Sequence, residues 1–327
     1  MTTAGTRPAR GSAGPPAAAP VVRVEQLRKT YGGTVAVDGV SFTVGEGEIF
    51  GIIGPNGAGK TTTVECLAGL RIPDAGDIEV LGLSPRADRA ALRECVGVQL
   101  QESSLPALLR VGELVDLFAS FYRQPADCGE LLEALGLADK RGVAFRKLSG
   151  GLKQRLSIAL ALVGSPRLAI LDELTTGLDP QARRDTWQLI GHIRDRGVTV
   201  ILVTHYMDEA EWLCDRVMLI DSGRAAAIGT PAGLAGREGG GAHLRFVPSG
   251  PVADEVLAAL PEVASVEHQG HRVVVTGHGE LTEAVLAALG AAGVTAHDVQ
   301  LESASLEDAY VRLVGHDGAH PEGAARR

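Results

Sequence analysis

The 327-residue sequence is short of several things, and each shortage closes off a class of protein. Aromatic residues amount to only 4%, but hydrophobic residues reach 45% and charged residues 22%. The scarcity therefore does not make the chain disordered, collagen-like or mucin-like. Cysteine occurs four times, at positions 66, 95, 128 and 214, with no C-x-x-C pair. That excludes a zinc ribbon and a disulfide framework, and predicts small buried thiols in a reducing compartment. No apolar run approaches the ~18 residues of a membrane-spanning helix. Basic residues are outnumbered 31 to 40, a net charge of -9, so no overall basic face offers itself to nucleic acid. The stretch Met1 to Pro20 has Arg7 and Arg10 but no leucine- or valine-rich segment. It reads as a disordered tail on a cytoplasmic protein, whose contact with a membrane would come through a partner.

What is abundant is glycine, at 42 positions, the residue used where backbone must turn tightly or approach a ligand closely. The length predicts two domains of unequal size. From Val21 onward, strand-like alternation gives way to short apolar runs at Ile49 to Ile53, Leu168 to Leu171, Val198 to Val203 and Val217 to Ile220. Helix-like segments lie between them, including Leu131 to Leu135, Leu152 to Leu162 and Gln181 to Ile193. This alternation predicts an α/β domain with a largely parallel sheet. Gly233 to Gly241 reads as a linker. Beyond it the order strand, helix, strand, strand, helix, strand makes a ferredoxin-like module the candidate, followed by one more helix. The expected division is a tail at 1–20, a first domain at 21–235, an accessory α+β domain at 241–316 and a second tail at 317–327.

Gly54-Pro55-Asn56-Gly57-Ala58-Gly59-Lys60-Thr61 fits G-x-x-x-x-G-K-[ST], directly after a buried strand and before a helix-like segment that includes Thr62. Here glycines let backbone N–H groups converge on phosphate oxygens, Lys60 reaches the β- and γ-phosphates, and Thr61 offers a hydroxyl to Mg²⁺. Asn56 is the only asparagine, and no lysine is followed two residues later by aspartate, which disfavours guanine recognition of the Ras type. A Walker-type loop also disfavours a protein kinase. Leu168 to Leu171 runs into Asp172 and Glu173. At the carboxyl end of a parallel strand these face a ligand crevice, Asp172 toward Mg²⁺ and Glu173 toward a water attacking the γ-phosphate.

With these elements the chain resembles the ATP-binding cassette (ABC) ATPases, as a P-loop NTPase whose parallel core carries antiparallel-β and helical subdomains. Leu148-Ser149-Gly150-Gly151-Leu152-Lys153-Gln154-Arg155 looks like their signature and Thr176-Gly177-Leu178-Asp179-Pro180 like their D-loop. His205 falls at their switch histidine, Gln101 at their Q-loop glutamine with Gln99 as the alternative, and Tyr31 at the aromatic that stacks on adenine. Leu174 departs from the proline most members carry there.

The resemblance implies that Ser149, Gly150, Gly151 and Asp179 serve ATP held by a second cassette, most simply a second copy of the chain. It implies Gln101 beside the metal and in catalysis, with Glu173, His205 and Lys60. Closest in appearance are ATPase subunits of ABC-2 exporters of the daunorubicin/doxorubicin-resistance kind. Those would imply a separately encoded polytopic permease, drug or secondary-metabolite efflux, and a place on the cytoplasmic face of the membrane. The apolar segment from Gln101 to Tyr122, with Phe118, would supply a docking groove for the permease, although half or more of it is expected in the core. A soluble ABC ATPase acting on ribosome or DNA is the alternative; the single phosphate loop, the lack of long coiled coils and the acidic charge weigh against it.

Overall fold

The computed structural model describes residues 19–100, 105–238, 241–302 and 304–317. It opens with an antiparallel hairpin, β1 (Val22–Tyr31) and β2 (Thr34–Val44), followed by β3 (Ile49–Ile53), the phosphate loop and α1 (Lys60–Leu67). Then come β4 (Ala75–Val80), α2 (Arg89–Cys95), β5 (Val96–Gln99), α3 (Val111–Ala119), α4 (Cys128–Ala134) and α5 (Gly150–Leu162). The remaining elements of this part are β6 (Leu168–Asp172), α6 (Pro180–Asp195), β7 (Thr199–Thr204), α7 (Met207–Leu213), β8 (Arg216–Asp221), β9 (Arg224–Gly229) and α8 (Pro231–Glu238).

A six-stranded sheet of order β5-β6-β7-β3-β8-β9 forms the centre, parallel except for β9. Its central strands are buried on both faces, which is why they read as unbroken apolar runs. Strand periodicity then sends alternate residues to different cores. Ile49, Ile53, Leu171 and Leu202 join a cluster with α3 to α7, while Phe50, Ile52, Ile170 and Val203 join one with α1 and the β2-β1-β4 sheet. Leu174 is fully buried in the first cluster, so the residue at the family's usual proline works here as core packing.

The Gly233 to Gly241 linker expected from composition is helical over most of its length, as α8. Its glycines are interrupted by Leu234 and Ala235, both buried, and that burial outweighs the poor helix propensity of glycine. Next follow β10 (Ala242–Pro248), α9 (Asp254–Ala258), β11 (Val263–Gln269), β12 (Arg272–Gly277), α10 (Leu281–Ala291), β13 (Ala296–Glu302) and α11 (Leu306–Asp317). The four strands form an antiparallel sheet of order β11-β12-β10-β13, with its own core of Leu244, Phe246, Leu257, Val275 and Val285. Helix α11 does not join that core. Leu306, Tyr310 and Leu313 pack into the cluster beneath α7 and α8, the Leu306 N–H donates to Glu211, and the Tyr310 hydroxyl donates to Asp221 at 3.2 Å.

Candidate functional site

The carboxyl ends of β3, β6 and β7 meet at a cleft of about 350 Å³ lined by Ala36, Asn56, Gly57, Gly59, Lys60, Thr61, Thr62 and Glu173. Two glycines are dictated by close approach. A Cβ on Gly54 would lie 2.1 Å from the Ile220 carbonyl oxygen, and one on Gly59, whose φ is +98°, 2.3 Å from that of Ala36. No other residue fits either place. The loop also closes on itself, with the Ala58 N–H donating to the Pro55 carbonyl at 3.3 Å.

Lys60 is buried, and its ammonium donates to the carbonyls of Gly54 at 2.8 Å and Pro55 at 3.0 Å. Burial lowers its pKa against the opposing pull of Glu173 and Asp172. Its Nζ is 3.9 Å from Glu173 Oε1, and His205 Nδ1 is 3.3 Å from that same oxygen. Glu173 itself sits at φ +50°, a left-handed conformation that a side-chain-bearing residue rarely adopts. Its N–H is tied to the Val203 carbonyl at 2.9 Å. Held this way, the carboxylate faces the cleft, and the strain is located where the chemistry would be.

Asp172 is fully buried. The Thr61 hydroxyl donates to its Oδ2 at 3.1 Å, while Oδ1 has no hydrogen-bond partner. Burial pushes its pKa up to about 6; the Thr61 hydrogen bond and Lys60 oppose this, and Glu173 adds to it. An orphaned carboxylate oxygen beside a threonine hydroxyl suits a hard cation such as Mg²⁺, which takes one or two protein oxygens and completes its shell with water and phosphate.

The structure thus brings Lys60, Thr61, Asp172, Glu173 and His205 together around the phosphate loop. It does not bring the signature to them. Ser149 caps α5, accepting from the Leu152 N–H at 3.4 Å, and is exposed with Gly150 outside the cleft. Asp179 caps α6, accepting from the N–H groups of Gln181 and Ala182 at 3.0 and 2.9 Å. Tyr31, at the hairpin tip, lies under Lys29 and Arg71, whose charges are 5.5 and 5.8 Å from the ring centre, and it does not line the cleft.

Gln101 falls outside the described residues. Its alternative, Gln99, is buried and braces β6, its Oε1 accepting from the Asp172 N–H at 3.2 Å. Sequence reasoning missed that brace, and also Ala36 on the cleft wall and a buried Glu209 behind His205. Only the alternation of β5 could have pointed to Gln99; nothing local marks the other two.

The family description "ABC transporter" matches residues 37–176. The daunorubicin resistance ATP-binding protein of Streptomyces coeruleorubidus is 35% identical over 311 residues, covering 93% of this chain and 98% of that protein. A linearmycin resistance ATP-binding protein of Bacillus subtilis is 33% identical over 307 residues, covering 90% and 98%. Among solved structures, cbiO1 from Clostridium perfringens, part of the ABC transporter complex cbiONQ, superposes with a TM-score of 0.59 at 29% identity, covering 64% of this chain and 88% of that one. A dimeric ATP-binding cassette in a post-hydrolysis state with ADP and Pi gives 0.57 at 28%, covering 64% and 98%. The strand-end carboxylates, the phosphate cleft and these near full-length relatives lead to one conclusion: the chain belongs to the ATP-binding subunits of ABC transporters.

Proposed function

We propose that this ATPase energises a membrane exporter by closing on ATP with a second copy of itself, and that Glu173 activates the attacking water. The observation that carries the reading is the convergence of Lys60 and His205 on one oxygen of Glu173 at the phosphate cleft. In this mechanism the backbone N–H groups of Gly57 to Thr61, with Asn56 and Thr62, cradle the β- and γ-phosphates, and Lys60 exchanges its carbonyl partners for phosphate oxygens. Glu173 takes a proton from the water as its oxygen bonds to the γ-phosphorus, and the bond to the bridging oxygen breaks to give ADP and phosphate. His205 holds Glu173 and the γ-phosphate in register. Thr61 and Asp172, with Gln101, would hold Mg²⁺, which when bound neutralises charge on the phosphates. Tyr31 stacks on adenine. Because Ser149, Gly150, Gly151 and Asp179 lie away from the chain's own phosphate loop, they serve the ATP of the partner copy across the dimer.

Exporter relatives named for daunorubicin and linearmycin resistance support a drug or secondary-metabolite cargo, and favour this reading over a ribosome- or DNA-acting ATPase. No helix among the described residues is long and apolar enough to cross a membrane, so a separate polytopic permease would hold the protein at the cytoplasmic face. In α3, Val111, Leu114 and Val115 are core, while Leu108, Leu117 and Phe121 stay exposed nearby and form the proposed docking surface, with half-buried Phe118 against Phe121. The test is Glu173→Gln. It should retain ATP binding by calorimetry, form a trapped dimer by size-exclusion chromatography, and hydrolyse ATP at least ~100-fold more slowly. Normal turnover would remove Glu173 from the mechanism.

A further inference from the structure

Glu209, on α7 four residues after His205, is fully buried. Its Oε1 accepts from the indole N–H of Trp187 on α6 at 3.0 Å. Its Oε2 and the buried Thr175 hydroxyl have no well-formed hydrogen bond, although that hydroxyl lies close enough to the carboxyl to favour its charged form. The Thr204 hydroxyl also faces it and accepts from the Tyr206 N–H at 3.0 Å. Burial raises the Glu209 pKa, with Asp208 adding to it and the hydroxyls of Thr204 and Thr175 and the Trp187 indole opposing it.

A carboxyl in such a place is costly, and its imperfect contact with the Thr175 hydroxyl repays only part of that cost. Leucine would remove the buried charge but would strip the Trp187 indole N–H of its acceptor. What singles the group out is the set of segments it touches. Thr175 is two residues beyond Glu173 and opens the loop that ends at Asp179; Thr204 directly precedes His205; and Trp187 belongs to the helix that Asp179 caps. One side chain therefore meets side chains from the segments that follow Glu173 and precede His205, and from α6.

We propose that Glu209 is a positioning residue for ATP hydrolysis: it clamps the segment after Glu173 to the segment before His205 through Thr175, Thr204 and Trp187. In this clamp the Thr175 hydroxyl donates to Oε2, which ties the loop before α6 to α7. The inference rests on Glu173 and His205 acting as proposed above.

The experiment measures steady-state ATPase kinetics of the full chain in Glu209→Leu, Glu209→Gln, Thr175→Val and the Glu209→Leu/Thr175→Val double variant, with Glu173→Gln as control. Glu209→Leu should lower kcat by about 10- to 100-fold and leave the KM for ATP within about twofold, because the phosphate loop is untouched. Glutamine can accept from Trp187 and donate to Thr175, so Glu209→Gln should recover kcat to within about threefold of the parent. Thr175→Val should lose about three- to tenfold, with no further loss in the double variant.

Full kcat in a folded Glu209→Leu variant overturns the proposal, as does a glutamine variant no better than the leucine one, or losses that multiply in the double variant. Should Glu209→Leu fail to fold, Thr175→Val decides alone: parental kcat there overturns the clamp. If Glu173→Gln turns over normally, the assignment of Glu173 fails instead, so the two failures are distinguishable.

Discussion

Replacing Asp172 with asparagine should relieve the nucleotide-free protein of a destabilising charge in the same stroke that disables the metal site proposed for it. Asp172 titrates at about 6 in the fold against 3.8 as its ordinary value, so the folded chain holds the proton more tightly than the unfolded one. Its contribution to stability is full below 3.8 and is lost as pH rises through 6. Above that, the ionised carboxylate costs the fold about 3 kcal/mol, from 1.36 kcal/mol per pKa unit. Acidifying from about pH 8 to about pH 5 returns about 1.4 kcal/mol of this, or about 2 °C in Tm for a protein of this size.

Asparagine keeps an acceptor for the Thr61 hydroxyl but carries no charge, and its buried amide group offsets about 1–3 kcal/mol of the gain. In EDTA and without nucleotide, calorimetric melts should therefore show Asp172→Asn at least as stable as the parent at about pH 8. That advantage should shrink by about 1.4 kcal/mol at about pH 5. ATP with Mg²⁺ should stabilise the parent and leave the variant nearly unmoved. If the two proteins shift in parallel with pH, the buried charge is not what the geometry says it is.

Two further outcomes follow from packing. Gly59→Ala combines a positive φ with a Cβ 2.3 Å from the Ala36 carbonyl, whereas Gly57→Ala, at φ +83°, meets nothing within 4 Å; the first should cost about 2–5 kcal/mol and the second about 1–2 kcal/mol in urea unfolding, and equal costs would contradict the close contact. Leu306→Ala should loosen α11 by about 2–5 kcal/mol, seen as faster hydrogen exchange in α11 with β10 to β13 unchanged.

The parts of this molecule legible in its sequence are those whose cause is local. The phosphate loop needs its glycines and lysine at fixed spacing, and the double-sided burial of β3, β6 and β7 leaves apolar runs that cannot be polar. The carboxylates at the end of β6 follow from where a parallel strand stops. The rest depends on contacts between distant segments. Leu234 and Ala235 turn an apparent linker into α8 because a core receives them. Asp179 resembles a ligand-loop residue, and within one chain it is a helix cap. Glu209 sits in an acidic run, Met207 to Glu211, and only the approach of Trp187 from α6 shows that it points inward.

The docking of α11 has a topological consequence. The four-stranded sheet is not an appendage hung from one end of the cassette but an insertion, with its entry at α8 and its exit at α11, both helices packed on each other and on the same core. Cutting the chain at the glycines near residue 240 would remove the sheet and also pull a structural plug, Leu306, Tyr310 and Leu313, from under the helix that follows His205. Clean surgery would excise 242–302 and rejoin the two helices. By the same tethering at both ends, whatever displaces the sheet must load α7 and α8 together.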